Sequence, residues 1–233
     1  MLKYDFLILS LLSLLPGAII YALREDLRPV IRVTMICSIP FGFTEFLFYP
    51  DYWEPVFLFD LASKIGFGIE DLIFVCGLGA FTSTGFLFFS GFRLCRRDEL
   101  NTAGKISRRL AFLFSLTFLL VFIAALIGIP MIYGSCLIMI GVSSIIFLIR
   151  RDLFFPSLAG AGITVIVYTS LALIFGLLFP HAFRNVWHTE KFLNLFFLGV
   201  PLEEYMYSFA CGMAATMYYP YVFDRVFCRR ISR

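Results

Sequence analysis

The sequence predicts an all-α, polytopic membrane protein with seven transmembrane helices, arranged as two three-helix repeats joined by a linking helix. Three observations predict it. Hydrophobic residues fill 61% of 233 positions and charged residues 15%, against about 25% charged in a soluble domain. Seven apolar stretches approach or exceed the roughly 20 residues that a spanning helix needs. Lysine and arginine then sort to one side as the spans are counted in turn.

The first stretch covers residues 4–22. Its charged flank is weak, Lys3 being offset by Asp5, and no small-residue cleavage site precedes Arg24, so it reads as a first helix and not a removable leader. The next stretches are 30–48, 66–92, 109–128, 131–149, 157–179 and 197–222, with Gly128-Ile129-Pro130 as a tight turn between the fourth and fifth. Fifteen basic residues fall on one side: Arg24, Arg28, Arg32, Arg93, Arg96, Arg97, Lys105, Arg108, Arg109, Arg150, Arg151, Arg225, Arg229, Arg230 and Arg233. Four fall on the other: Lys3, Lys64, Arg184 and Lys191. The bias predicts an odd number of spans, an outside N-terminus and a cytoplasmic C-terminus in the cell membrane.

The halves resemble each other. "ALREDLRP" (22–29) follows the first span and "LIRRDLFFP" (148–156) the fifth; "GFGIEDLIF" (66–74) aligns with "GVPLEEYMY" (199–207). The organisation expected is a first repeat over 1–92, a loop and linking span over 93–129, and a second repeat over 130–233. A three-span unit copied directly would be inverted; the fourth span restores parity and puts both acidic motifs on one side.

Several classes drop out. The chain has no glycine-rich dinucleotide fingerprint and no phosphate loop, and a net charge of +3 is too small to suggest nucleic acid. Cys37, Cys76, Cys95, Cys136, Cys211 and Cys228 form no CxxC pair and read as small buried hydrophobes, not as a disulfide framework or a zinc site. His181 and His188 share a loop with Glu190 at a spacing that fits no helical ligand pair. Neither a metal nor another cofactor is expected.

Two carboxylate doublets are the candidate chemistry: Glu70-Asp71 entering the third span and Glu203-Glu204 entering the seventh. Pro201 suits a first helical turn. Glu203 and Tyr207, like Glu70 and Phe74, stand four residues apart on one helix face. Acids at a helix N-terminus can be mere interface anchors favoured by the dipole. Doublets at matched repeat positions argue for function, because ionisable groups inside a membrane are costly. An apolar setting would keep one acid of each doublet protonated and ready to donate. Trp53 and Trp187 precede the two motifs on the same side, as interface anchors or as ring faces able to stabilise a cation.

These segments resemble the PxE(E/D)xxF signature of the membrane-integral lycopene cyclase domains, found as two small polypeptides in some bacteria and as one fused chain in archaea and fungi. Pro201, Glu203, Glu204 and Tyr207 match the second motif, with Tyr for Phe. Glu70, Asp71 and Phe74 match the first, with Gly68 in place of Pro. "FYPDYWEP" (48–55) is similar to the family's loop. The resemblance implies a redox-neutral isomerisation of an acyclic carotenoid such as lycopene, with no cofactor. It implies Glu203 as proton donor, Glu204 as its partner or base, and Glu70-Asp71 as a second pair shaping the same cavity. Phe74, Tyr207, Trp53 and Trp187 would line the substrate. The partners expected are that lipophilic substrate and membrane lipid, with a homo-oligomer left open.

Rival readings fit less well. The intramembrane CAAX-type proteases, which also carry Glu-Glu, expect arginine where this chain has Ser208. Membrane prenyltransferases need aspartate clusters, absent here. A retinal-binding receptor needs a lysine within the seventh span, and Lys191 precedes it. A seven-span transporter, or a carotenoid-binding protein without catalysis, is the alternative.

Overall fold

The computed structural model describes residues 4–97 and 102–229. Lys3, Arg230 and Arg233 of the charge count lie outside them. Seven long helices follow the apolar stretches: α1 (Asp5–Leu23), α2 (Arg28–Gly42), α3 (Ile69–Thr82), α4 (Ala103–Leu126), α5 (Met131–Ile149), α6 (Phe154–Leu178) and α7 (Leu202–Val222). A 3-10 turn, Phe43–Leu47, prolongs α2, and the short helix Gly85–Ser90 follows α3. Gly128, at φ +72°, makes the tight turn into α5.

Six of these segments are long and apolar enough to cross a bilayer, the architecture of a polytopic membrane protein; α7 is not among the six. Of the seven spans expected, six are met on length and hydropathy, and the seventh falls short for a physical reason. Twelve of the 21 residues of α7 are buried, so neighbouring helices and not lipid surround much of it. A helix so placed can carry glutamates, tyrosines and threonines. The linking helix α4 is the opposite case: only 17% of its apolar stretch is buried.

Within the first half, α3 packs between α1 and α2; within the second, α7 packs between α5 and α6. Close approach depends on glycine, as membrane helix interfaces commonly do. A Cβ on Gly79 of α3 would lie 2.0 Å from Ser38 Oγ of α2, and one on Gly212 of α7 would lie 2.4 Å from Thr164 Oγ1 of α6.

The turns after α1 and α5 match in the same detail. Arg24, buried, holds Asp26 through two bonds of 2.8 Å and donates to the carbonyls of Leu87 and Phe92. Arg150, also buried, holds Asp152 at 2.8 and 2.7 Å, donates to the Arg225 carbonyl, and meets Asp224 at 3.1 Å. These bidentate pairs are the structural content of the "ALREDLRP" and "LIRRDLFFP" similarity.

Two strands at this arginine-rich end were expected only as loop and tail. β1 (Phe92–Arg96) and β2 (Arg225–Arg229) pair antiparallel with Leu94 opposite Phe227. Cys95 and Cys228 are joined across them as a disulfide, which corrects the reading of all six cysteines as unpaired. Apolar periodicity gave no sign of the pairing because each strand is a short segment following a helix, and they meet only when the two halves dock. Of the remaining cysteines, Cys136 is buried and Cys37, Cys76 and Cys211 are half-buried.

At the opposite end the halves meet again. The Glu54 N–H donates to the Val186 carbonyl at 2.8 Å, and the His188 N–H to the Tyr52 carbonyl at 2.8 Å. This bridge sets Trp53 beside Trp187, with ring centroids 5.2 Å apart. Phe6 of α1 packs edge-on against Trp53 at 4.6 Å and Phe57 at 5.2 Å. The result is an aromatic roof over the acidic helix ends.

Candidate active site

Each acidic doublet begins a helix, and its two members part ways. The first member turns to the preceding loop. Glu70 Oε1 accepts the Leu58 N–H at 2.7 Å; Glu203 Oε1 accepts the Leu193 N–H at 3.0 Å and the Tyr133 hydroxyl at 3.1 Å. Both are fully buried, and the Oε2 of each has no hydrogen-bond partner. Neither lines the central cavity.

The second member does. Asp71 and Glu204 both face a cavity of about 220 Å³ walled by α2, α3, α5 and α7, with Tyr168 of α6 and Thr117 and Val121 of α4 completing it. Adjacent residues of a helix point about 100° apart, so one member of each doublet faces the loop and the other the interior. Asp71 accepts the Gly68 N–H at 2.7 Å, capping the first turn of α3.

Glu204 is the most densely bonded acid of the cavity. Its Oε1 accepts the Tyr52 hydroxyl and the Trp187 indole N–H, each at 2.8 Å, and its Oε2 accepts the Tyr168 hydroxyl at 2.5 Å. Burial, with Glu204 beside it, pushes the Tyr52 phenol well above its ordinary range, so it remains a donor. Three donors converge on one carboxyl that donates to none of them. Such a set suits a carboxylate. It also spans both halves, since Tyr52 comes from the first, and Trp187, Tyr168 and Glu204 from the second.

A third cavity acid, Glu45, follows α2 in the "GFTEFLFYP" segment. It is buried, accepts the Trp53 indole N–H, and stands within electrostatic range of Asp71. Glu45 and Tyr168 did not emerge from motif matching, and Tyr52 lay within the matched loop "FYPDYWEP" without being singled out. Glu45 did leave a signal: it is a lone acid in an apolar run.

Of the rings expected at a substrate, Phe74, Tyr207 and Trp53 line the cavity. Trp187 acts one layer back, bonding Glu204 and packing at a tilt against Trp53. Phe41, Phe48 and Tyr218 add to the wall, and among the described residues no lysine, arginine or histidine lines it. His188 rests outside, 3.6 Å from Glu54 and 3.5 Å from Glu190. The arrangement offers carboxyl groups and aromatic faces in a mostly apolar cavity, a combination suited to moving protons on an apolar molecule.

Residues 130–222, from α5 to the end of α7, match the family model described as lycopene cyclase. The match takes in Tyr168, Trp187, Glu203 and Glu204 and leaves the first half unmatched. No curated protein and no solved structure matches the chain.

Proposed function

We propose that the protein is a carotenoid cyclase of the lycopene cyclase type, a redox-neutral isomerase acting on acyclic polyene end groups within the membrane. The observation that carries this reading is the set of three donors holding Glu204 in an aromatic cavity that also contains Asp71 and Glu45. The partial family match over the second half supports it.

The reaction needs one proton in and one proton out. A carboxylic acid adds a proton to C2 of the terminal C1=C2 bond, leaving a cation at C1. The C5=C6 pair closes a bond from C6 to C1, moving the charge to C5. Loss of a proton from C6, from C4 or from the C5 methyl group restores a double bond and gives a β, ε or γ ring. Water in the site would capture the cation as an alcohol, so the aromatic roof and apolar walls are part of the chemistry.

Asp71 and Glu45 divide the work with Glu204. Each accepts a single hydrogen bond, Asp71 from Gly68 and Glu45 from Trp53, and the two face one cavity within electrostatic range of each other. They act as the acid. Glu204, saturated with donors, is the carboxylate that balances the cation and takes up the departing proton. The rings of Phe74, Tyr207 and Trp53 face the positive charge. Glu70 and Glu203 are positioning residues, holding the loops at Leu58 and Leu193 against the cavity's roof.

Within this reading the chain is two three-helix repeats, α1–α3 and α5–α7, related by a pseudo-two-fold axis along the membrane normal. The matched pairs Arg24 and Arg150, Trp53 and Trp187, and Gly79 and Gly212 support it. The arginine-rich end faces the cytoplasm; a C-terminal reporter active only outside the cell would refute that orientation.

Expression in a lycopene-accumulating bacterium, with pigments separated by chromatography, tests the function. Monocyclic or bicyclic carotenes are the expected products. Unchanged lycopene beside well-folded membrane protein refutes the cyclase and leaves a binding or transport protein.

A further inference from the structure

The hollow continues past the acids. A second cavity of about 90 Å³ lies between α2, α3, α4 and α7. Ser38, Phe41, Gly79, Thr117, Ala215 and Tyr218 line both cavities, so the two adjoin, with these residues at the neck between them. Together they follow α7 from Glu204 to Phe223, about 28 Å at 1.5 Å per residue, close to the roughly 30 Å hydrocarbon core of a bilayer.

Its two ends differ in chemistry. The near cavity carries Glu45, Asp71 and Glu204, whereas among the described residues no carboxyl, lysine, arginine or histidine lines the far one. Hydroxyls there are turned back onto their own helices: Ser38 Oγ donates to the Thr34 carbonyl at 2.8 Å, and Ser83 Oγ to the Gly79 carbonyl at 2.6 Å. Thr34 Oγ1 bonds the Val30 carbonyl at 3.0 Å and meets Ser83 Oγ at 3.1 Å. With these three hydroxyls already bonded, that part of the wall offers a polar ligand little. Asp224, just beyond Phe223, is engaged by Arg150 at 3.1 Å and Arg109 at 3.5 Å. Beside Glu204 a further void of about 20 Å³ has room for little more than a water molecule.

We propose that the far cavity holds the unreacted linear tail of a polyene whose end group lies among the acids, and that the protein therefore converts one end in each binding event. This rests on the cyclase reading above. A linear substrate threaded along α7 presents one terminus to Glu204 and buries the other where, among the described residues, no carboxyl group lines the wall. A second cyclisation requires release and re-entry in the reverse sense. Each event takes up one proton, forms one carbon–carbon bond and releases one proton.

The test uses full-length protein in lipid vesicles with lycopene in excess, sampled over time. Free monocyclic carotene accumulates first, and bicyclic product follows after a lag. Bicyclic carotene from the earliest turnovers, without free monocyclic intermediate, overturns the proposal. Ala215→Phe, which narrows the neck, shifts the ratio of activity on lycopene to activity on a half-length acyclic isoprenoid with the same end group roughly tenfold toward the short substrate. An unchanged ratio in folded variant protein overturns the tail site. Quenching of Trp53 and Trp187 fluorescence by lycopene reports binding without chemistry. If wild-type protein binds lycopene, loses that quenching in Ala215→Phe and yet forms no ring, the tail site stands and the cyclase reading falls, taking the one-end rule with it. If lycopene quenches neither protein, the tail site falls by itself.

Discussion

Replacing Glu204 by glutamine removes a charge while keeping shape. Three donors meet this side chain, from Tyr52, Tyr168 and Trp187. Glutamine keeps one acceptor oxygen for Tyr52 and Trp187, and the Tyr168 hydroxyl can rotate to accept from the new amide. Alanine would instead strand three buried donors, at about 1–3 kcal/mol each, and would confuse misfolding with lost chemistry. The amide can neither balance a carbocation nor take up its proton. General base catalysis contributes about 10²–10⁴-fold, so Glu204→Gln should lose that much activity, equivalent to about 3–5 kcal/mol of barrier. Initial rates of ring formation in vesicles, normalised to folded protein by gel filtration and thermal unfolding, measure it. A folded Glu204→Gln protein within threefold of wild type would refute the assigned role.

The remaining predictions separate neighbouring roles. Glu203→Gln keeps an acceptor for Leu193 and Tyr133, so its loss of rate should be smaller than that of Glu204→Gln; the reverse order would return the chemistry to Glu203. Asp71→Asn and Glu45→Gln each remove one of the two proposed acids and should lower the rate by about tenfold or more, read by the same chromatographic assay. Tyr168→Phe deletes one hydrogen bond to a charged group, worth about 1.5–3 kcal/mol, and should slow ring formation roughly 10–100-fold without unfolding the protein. Gly212→Ala puts a methyl group 2.4 Å from Thr164 Oγ1 and should destabilise the α6–α7 contact by about 1–3 kcal/mol, seen as a lower midpoint of thermal unfolding in detergent. Arg150→Ala leaves Asp224 facing only Arg109 and should cost about 3–5 kcal/mol by the same measurement.

Much of the candidate site could be read in the linear chain, but only by type. "GIEDLIF" and "GVPLEEYMY" announced acids beginning two helices, and "ALREDLRP" with "LIRRDLFFP" announced equivalent turns. Which acid of each doublet reaches the interior depends on the rotation of α3 and α7 within their helix packing, a property of the whole bundle. Glu45, Tyr52 and Tyr168 come from three separate segments and converge only when the halves close around Glu204. The β1–β2 pair and its Cys95–Cys228 bond likewise exist only once the segments after Ser90 and Val222 meet.

The linear chain by itself determined membrane residence, the helical stretches, the sorting of arginine to one end and the paired acids, because hydropathy, charge and residue type are local quantities summed along the backbone. Tertiary structure alone decided that α7 is sheltered and less apolar, that Asp71 and Glu204 share a cavity while Glu70 and Glu203 do not, and that a second, apolar chamber opens beyond the neck at Ala215. The reason is geometric: a carboxyl's surroundings, and the space left between helices, depend on how surfaces distant in sequence are rotated and docked, which no local pattern encodes.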